Sequence, residues 1–115
     1  MSRQRIEKGV VGEERAAQYL VDMGYEVLAH DWKHPEYRIQ VDLIVRRSGR
    51  AYVVEVKNHR WTGSGFERLM TWKQRERLLN LARKLHVAKF GNFAWGFLWL
   101  WVDREKCQLL ESHDF

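Results

Sequence analysis

Apolar residues recur at Ile6, Val10, Ala17 and Leu20, and Gly24 marks a stop, so the pattern predicts a first helix over residues 4–23. "YEVLAHDW" (25–32) reads as a strand. "KHPEY" holds the only proline, Pro35, and reads as a loop. Alternation over "IQVDLIVRR" (39–47) predicts a second strand. Ser48-Gly49 is a turn signal, and "RAYVVEVK" (50–57) returns as a third strand. "NHRWTGSGF" is a glycine-containing loop. Capping-box spacing occurs at Ser64 with Glu67 and at Thr71 with Gln74, so a second helix starts at 64 or 71 and runs to about His86. "FAWGFLWLWVD" (93–103) reads as a strand, and "KCQLLES" is a candidate for a short last one. The order is αβββαβ, with room for one more strand.

The hairpin pattern fixes a register. A two-residue turn at 48–49 sets Arg47 opposite Arg50. Val41 then faces Val56, Leu43 faces Val54 and Val45 faces Tyr52, which makes one face apolar. On the other face Asp42 lies opposite Glu55, and Lys57 follows two residues on. A one-residue slip would set charged positions against apolar ones. Directly opposed side chains have Cβ atoms about 5 Å apart, and like charges there are destabilising. Two facing carboxylates need a cation or a proton between them. Lys57 supplies one charge diagonally, and a hard divalent ion such as Mg²⁺ would supply the rest.

The competing reading is a plain ion-pair cluster on a solvated sheet face. Two residues weigh against it. The apolar stripe of the first helix includes Glu13, and the stripe Leu78, Leu81, Leu85 of the second extends back to Gln74. Each has an ordinary explanation alone, Glu13 as a capped or snorkelling residue and Gln74 as an N3 cap. Together they aim two polar groups at a sheet already carrying Asp42, Glu55 and Lys57.

Composition narrows the function classes. A chain of 115 residues, 45% hydrophobic, suits a single domain over 1–115. No apolar run is long enough to span a membrane, and the charged start "MSRQRIEKG" is no signal peptide. One cysteine, Cys107, excludes a disulfide framework, and the five histidines show no zinc spacing. These features predict a cytoplasmic protein. The formal charge of +5 favours an anionic partner, and nucleic acid fits. Candidate contacts are Arg60 and Trp61 in the loop after Lys57, and Lys73, Arg77 and Lys84 on the solvent face of the second helix. Trp95, Phe97, Trp99 and Trp101 share one face of a strand that is apolar on both faces. Such a strand is central, or its aromatic face meets a second subunit; a homodimer is the expectation.

The succession "KGVVGEERAAQYLVDMGYEV", "VDLIV", "VVEVK" and "KQRERLLNLARKL" resembles the PD-(D/E)xK nuclease superfamily, and more closely the YraN-like family and the archaeal Holliday-junction resolvases. The similarity runs over roughly residues 8–102. It implies an α/β fold, with a restriction-endonuclease-like αβββαβ core whose mixed sheet is flanked by helices. It implies Mg²⁺, with Mn²⁺ as a substitute, at Asp42, Glu55 and the Val56 carbonyl. It assigns Lys57 to the attacking water or the scissile phosphate and sets Glu13 and Gln74 at the edge of the site. The resolvases it resembles are dimers. The chain departs from the family pattern at Ile39-Gln40, where Gly-Glu is usual, and at Asn58-His59, where Thr-Arg is usual. The function expected is a metal-dependent nuclease hydrolysing phosphodiester bonds of DNA, branched or structured DNA included. The alternatives are a nuclease-fold module that binds nucleic acid without cutting, and an assembly protein using its aromatic face.

Overall fold

The computed structural model describes residues 3–58, 72–103 and 106–115, with side chains from Gly12 onward. The elements are α1 (Arg3–Asp22), β1 (Glu26–Lys33), β2 (Gln40–Arg47), β3 (Arg50–Asn58), α2 (Trp72–Val87), β4 (Ala94–Val102) and β5 (Cys107–Asp114). The described residues form an α/β fold, with one mixed five-stranded sheet in the order β1-β2-β3-β4-β5 and two α-helices. The fold is compatible with a restriction-endonuclease-like core. Antiparallel pairing joins every neighbouring pair except β3 and β4, which run parallel. A parallel pair needs a long crossover, and α2 lies within it.

The expected elements are present with small shifts at their ends. α2 is described from Trp72, close to the later of its two expected starts; the Ser64–Glu67 start lies outside the described residues. The last strand is eight residues long, two more at its C-terminal end than the pattern of "KCQLLES" suggested. The turn is as expected. Ser48 and Gly49 have φ of 53° and 77°, the two left-handed residues of a type I′ hairpin, and Arg47 pairs with Arg50.

The sheet is apolar on both sides because each side carries a helix. Ala16 and Leu20 of α1 pack on Leu43, Val45, Tyr52, Val54, Leu98, Leu100 and Val102. Leu78, Leu81, Ala82 and Leu85 of α2 pack on the opposite side, against Ile44, Val53, Phe97 and Trp99. Burying one such Leu contributes about 2 kcal/mol. β4, between β3 and β5, is covered on both faces: Trp95 is 3% exposed, Phe97 0%, Trp99 8% and Trp101 2%. Of the two explanations for its aromatic face, the central strand is therefore correct. That face is buried within one chain and offers no surface to a second subunit or to an assembly.

One part of the register differs from expectation. Val41 was to share a face with Leu43 and Val45, but it packs with Ile44 on the α2 side, while Leu43 and Val45 pack on the α1 side. The alternation of β2 reverses at Asp42. β1 reverses at the same level: Ala29 and Trp32, three residues apart, both pack on the α2 side. Between them Asp31 has a φ of 47°, a left-handed conformation that Asp tolerates better than most residues. His30 pairs with Leu43 and Trp32 with Val41, so Asp31 and Asp42 lie at one level of the two strands, where both change phase. A pattern count at period two cannot register such a reversal.

Candidate functional site

The β2–β3 ladder runs regularly from Arg47–Arg50 to Leu43–Val54, and no pair beyond is formed. Asp42 and Glu55 are thus not a regular ladder pair, which corrects the expected geometry at this one position. The Asp42 carboxylate instead accepts the Val56 N–H at 2.7 Å, taking the place of a backbone acceptor. The two carboxyl groups still meet. Each helps to set the protonation of the other, as the facing-carboxylate argument requires. Val56 enters the site through its N–H, and its side chain packs against the α1-side core.

Glu55 and Lys57 extend from β3 toward α2. Lys57 Nζ lies 3.0 Å from Glu55 Oε1 and donates to Gln74 Oε1 at 3.2 Å. Gln74 Nε2 donates in turn to Glu55 Oε1 at 3.2 Å. The three side chains close a ring, and Gln74 points inward from the first turn of α2 as its place in the apolar stripe predicted. Glu55 is 8% exposed, and His34 is the other buried polar residue among those described.

Glu13 approaches from the other helix. Gly12 is buried; a Cβ there would lie 2.6 Å from Asn58 Nδ2 and 2.9 Å from Asn58 Cβ. The missing side chain lets α1 cross close over the end of β3. Arg15 adds a hydrogen bond to the Asp103 carbonyl beyond β4. Glu13 is thereby held beside Asp42, and a third carboxylate joins them. Oxygen atoms of Glu13, Asp31 and Asp42 all lie within 4.8 Å of one another. Sequence reasoning missed Asp31. The available signal was an Asp inside the strand-like run "LAHDWK", where β-propensity disfavours it.

The electrostatics follow from this crowding. Burial pushes Glu13 up to about 7, with Asp42 and Asp31 adding repulsion. Burial and the charge of Asp42 push Glu55 up to about 7 against the opposing pull of Lys57. Burial raises Asp42 as well, opposed by the Val56 N–H and by Lys57. The donor set is all oxygen, and two of its glutamates, Glu13 and Glu55, are pushed up to about 7. Such a set can exchange protons for a hard divalent ion.

The remaining expected residues divide. Lys73, Arg77 and Lys84 are exposed on the outer face of α2. Arg60 and Trp61 lie outside the described residues. Arg75 is engaged elsewhere: its guanidinium makes a bidentate contact with Glu111 of β5, with Nε 2.9 Å from each carboxylate oxygen. Cys107 packs half-buried against the α1-side core, and burial pushes its thiol up to about 11, which fits a packing role. No described helix is long and apolar enough to cross a membrane.

The protein is thus of the mixed α/β class, with clustered carboxylates, a lysine and a glutamine where its β2–β3 hairpin opens. The sequence model of the uncharacterised protein family UPF0102 matches residues 12–98, and the chain belongs to that family. Relatives called UPF0102 protein include one from Herpetosiphon aurantiacus, 37% identical over 83 residues, or 70% of this chain and 64% of the relative. One from Nocardia farcinica is 39% identical over 75 residues, 64% of this chain and 58% of the relative. One from Chelativorans sp. is 41% identical over 95 residues, 82% of this chain and 73% of the relative. The chain thus spans less than two thirds of the length of the first two relatives.

Proposed function

We propose that this chain is a divalent-metal-dependent nuclease that hydrolyses phosphodiester bonds of DNA. One observation carries the reading: Asp42, Glu55, Lys57, Glu13 and Gln74, from four separate elements, converge where the β2–β3 ladder opens. An ion-pair cluster needs no glutamine and no third acid.

Asp42 and Glu55 would hold the ion, with Glu13 and Asp31 as further oxygen donors on the α1 side. The Val56 carbonyl remains a candidate donor beside them. When bound, Mg²⁺ or Mn²⁺ supplies a Lewis acid for a phosphoryl oxygen and lowers the pKa of bound water. Lys57, held by Glu55 and Gln74, presents a fixed ammonium to the negative charge that develops on the phosphate. Gln74 acts as a positioning residue for Lys57. The formal charge of +5 supports an anionic polymer as substrate.

The test is cleavage of single-stranded, flapped and branched DNA with Mg²⁺ or Mn²⁺ against a chelator control. Ion-dependent cleavage lost in Asp42→Asn is the expected result. A protein that cuts none of these substrates with either ion would leave the binding-module reading in its place.

A further inference from the structure

A groove of about 430 Å³ runs along the outer face of α2, outside the carboxylate site. Ile39, Trp72, Lys73, Glu76, Arg77 and Lys84 are among its lining residues. Trp72 is 70% exposed, although an indole is among the most favourable side chains to bury. Arg75 lies 4.7 Å from the centre of the Trp72 ring. At the other end Lys84 lies 4.7 Å from the centre of the Tyr37 ring, which stacks on His34 and is itself 40% exposed. Lys73, Arg77 and Lys84 have no carboxylate partner among the described residues, and they outnumber Glu76, the one acid lining the groove, which shares Arg75 with Glu111.

We propose that this groove binds a single strand of nucleic acid, with a base stacked on Trp72 and phosphates on Lys73, Arg77 and Lys84. The charge excess selects an anionic occupant. The exposed indole selects among anions: a base offers its face only when it is unstacked, as in a single strand and not inside a duplex. From Trp72 to Lys84 the helix rises about 18 Å, enough for a few nucleotides. Gln74 touches Glu55 and Lys57 from the inward side of the same first turn of α2 that carries Trp72 on its outer side, so the groove and the carboxylate site share one end of the helix on different faces. Resting on the nuclease reading, the inference names the substrate class as DNA with a single-stranded arm. An acidic peptide would match the charge but would not need the exposed indole.

Binding of a fluorescent oligothymidylate in chelator, measured by anisotropy, tests the groove apart from cleavage. The strand is expected to bind more tightly than a duplex of equal length. Trp72→Ala should weaken strand binding roughly tenfold and leave duplex binding unchanged, with Trp72→Phe retaining most of the affinity. Arg77→Ala and Lys84→Ala should each lower the salt slope by about 0.7. Circular dichroism checks that the variants fold. Strand binding that is indifferent to Trp72→Ala overturns the groove while leaving the nuclease reading intact. So does displacement of the strand by an equal concentration of an oligoglutamate peptide. Absent cleavage with strand binding still dependent on Trp72 overturns the nuclease reading and retains the groove.

Discussion

The two ends of the β2–β3 hairpin are built from the same strands and obey different rules. At the turn end the ladder is regular through Arg47–Arg50, Arg46–Ala51 and Val45–Tyr52. Val45 and Ala51 there are fully buried on opposite sides of the sheet. At the open end the ladder stops after Leu43–Val54, the side-chain phase reverses at Asp42, and a carboxylate does the work of a backbone acceptor. Strand pairing, apolar packing and the polar contacts of Arg46, Arg47 and Arg50 account for the turn end. They do not account for Asp42, Glu55, Lys57 or Asp31. The open end is therefore the part of the hairpin to which the proposed function assigns a role.

Substitutions at the two ends should separate activity from stability. Lys57→Ala removes the ammonium held by Glu55 and Gln74. It should reduce ion-dependent cleavage by about 10²–10³-fold in a single-turnover assay. Gly49→Ala at the turn end places a side chain at a φ of 77°. It should cost about 1–2 kcal/mol in a urea melt while the cleavage rate of the folded protein stays unchanged. Equal losses of activity from both changes would erase the distinction between the ends.

Protonation sharpens the comparison further. Glu13 and Glu55 are raised from the usual 4.5 to about 7, so between those values the folded chain holds protons that the unfolded chain has released. Their contribution to stability is fully present at low pH and is lost as pH rises through about 7. Without divalent ions, the melting temperature should fall by about 5 °C or more between pH 5 and pH 8. Glu13→Gln should flatten that fall, whereas Gly49→Ala should lower the whole curve and keep its slope. A melting temperature that rises over this range would contradict the proposed crowding of acids. The smallest effect is expected at an exposed pair near the turn. Arg46 and Glu26 are 40% and 59% exposed, and Arg46→Ala should change stability by no more than about 0.5 kcal/mol.

Much of this molecule was legible in the chain because apolar periodicity and turn chemistry agree. Ser48-Gly49 set the register, and the register brought Asp42 near Glu55. Glu13 and Gln74 were legible as polar interruptions of apolar helical stripes. The reversal at Asp42 was not, because it depends on a left-handed Asp31 in the neighbouring strand. A single backbone angle leaves no trace in a hydrophobic pattern. Asp31 itself was hidden for the same reason: its side chain reaches Glu13 and Asp42 only through that local distortion. The aromatic run of β4 was ambiguous between a central strand and an interface, because the sequence pattern does not show that β5 pairs with Gly96–Val102 and that α2 covers Trp95, Phe97 and Trp99.

The central proposal is that the open end of the hairpin is a divalent-ion site in which Glu13 and Glu55 are pushed up to about 7. Calorimetric titration with Mn²⁺ at pH 7, repeated in two buffers of different ionisation heat, measures both ion binding and proton release. Wild-type protein and Gly49→Ala are predicted to bind the ion and release about one proton, while Asp42→Asn is predicted to lose both. Wild-type protein that gives neither a binding isotherm nor a buffer-dependent heat would contradict the account.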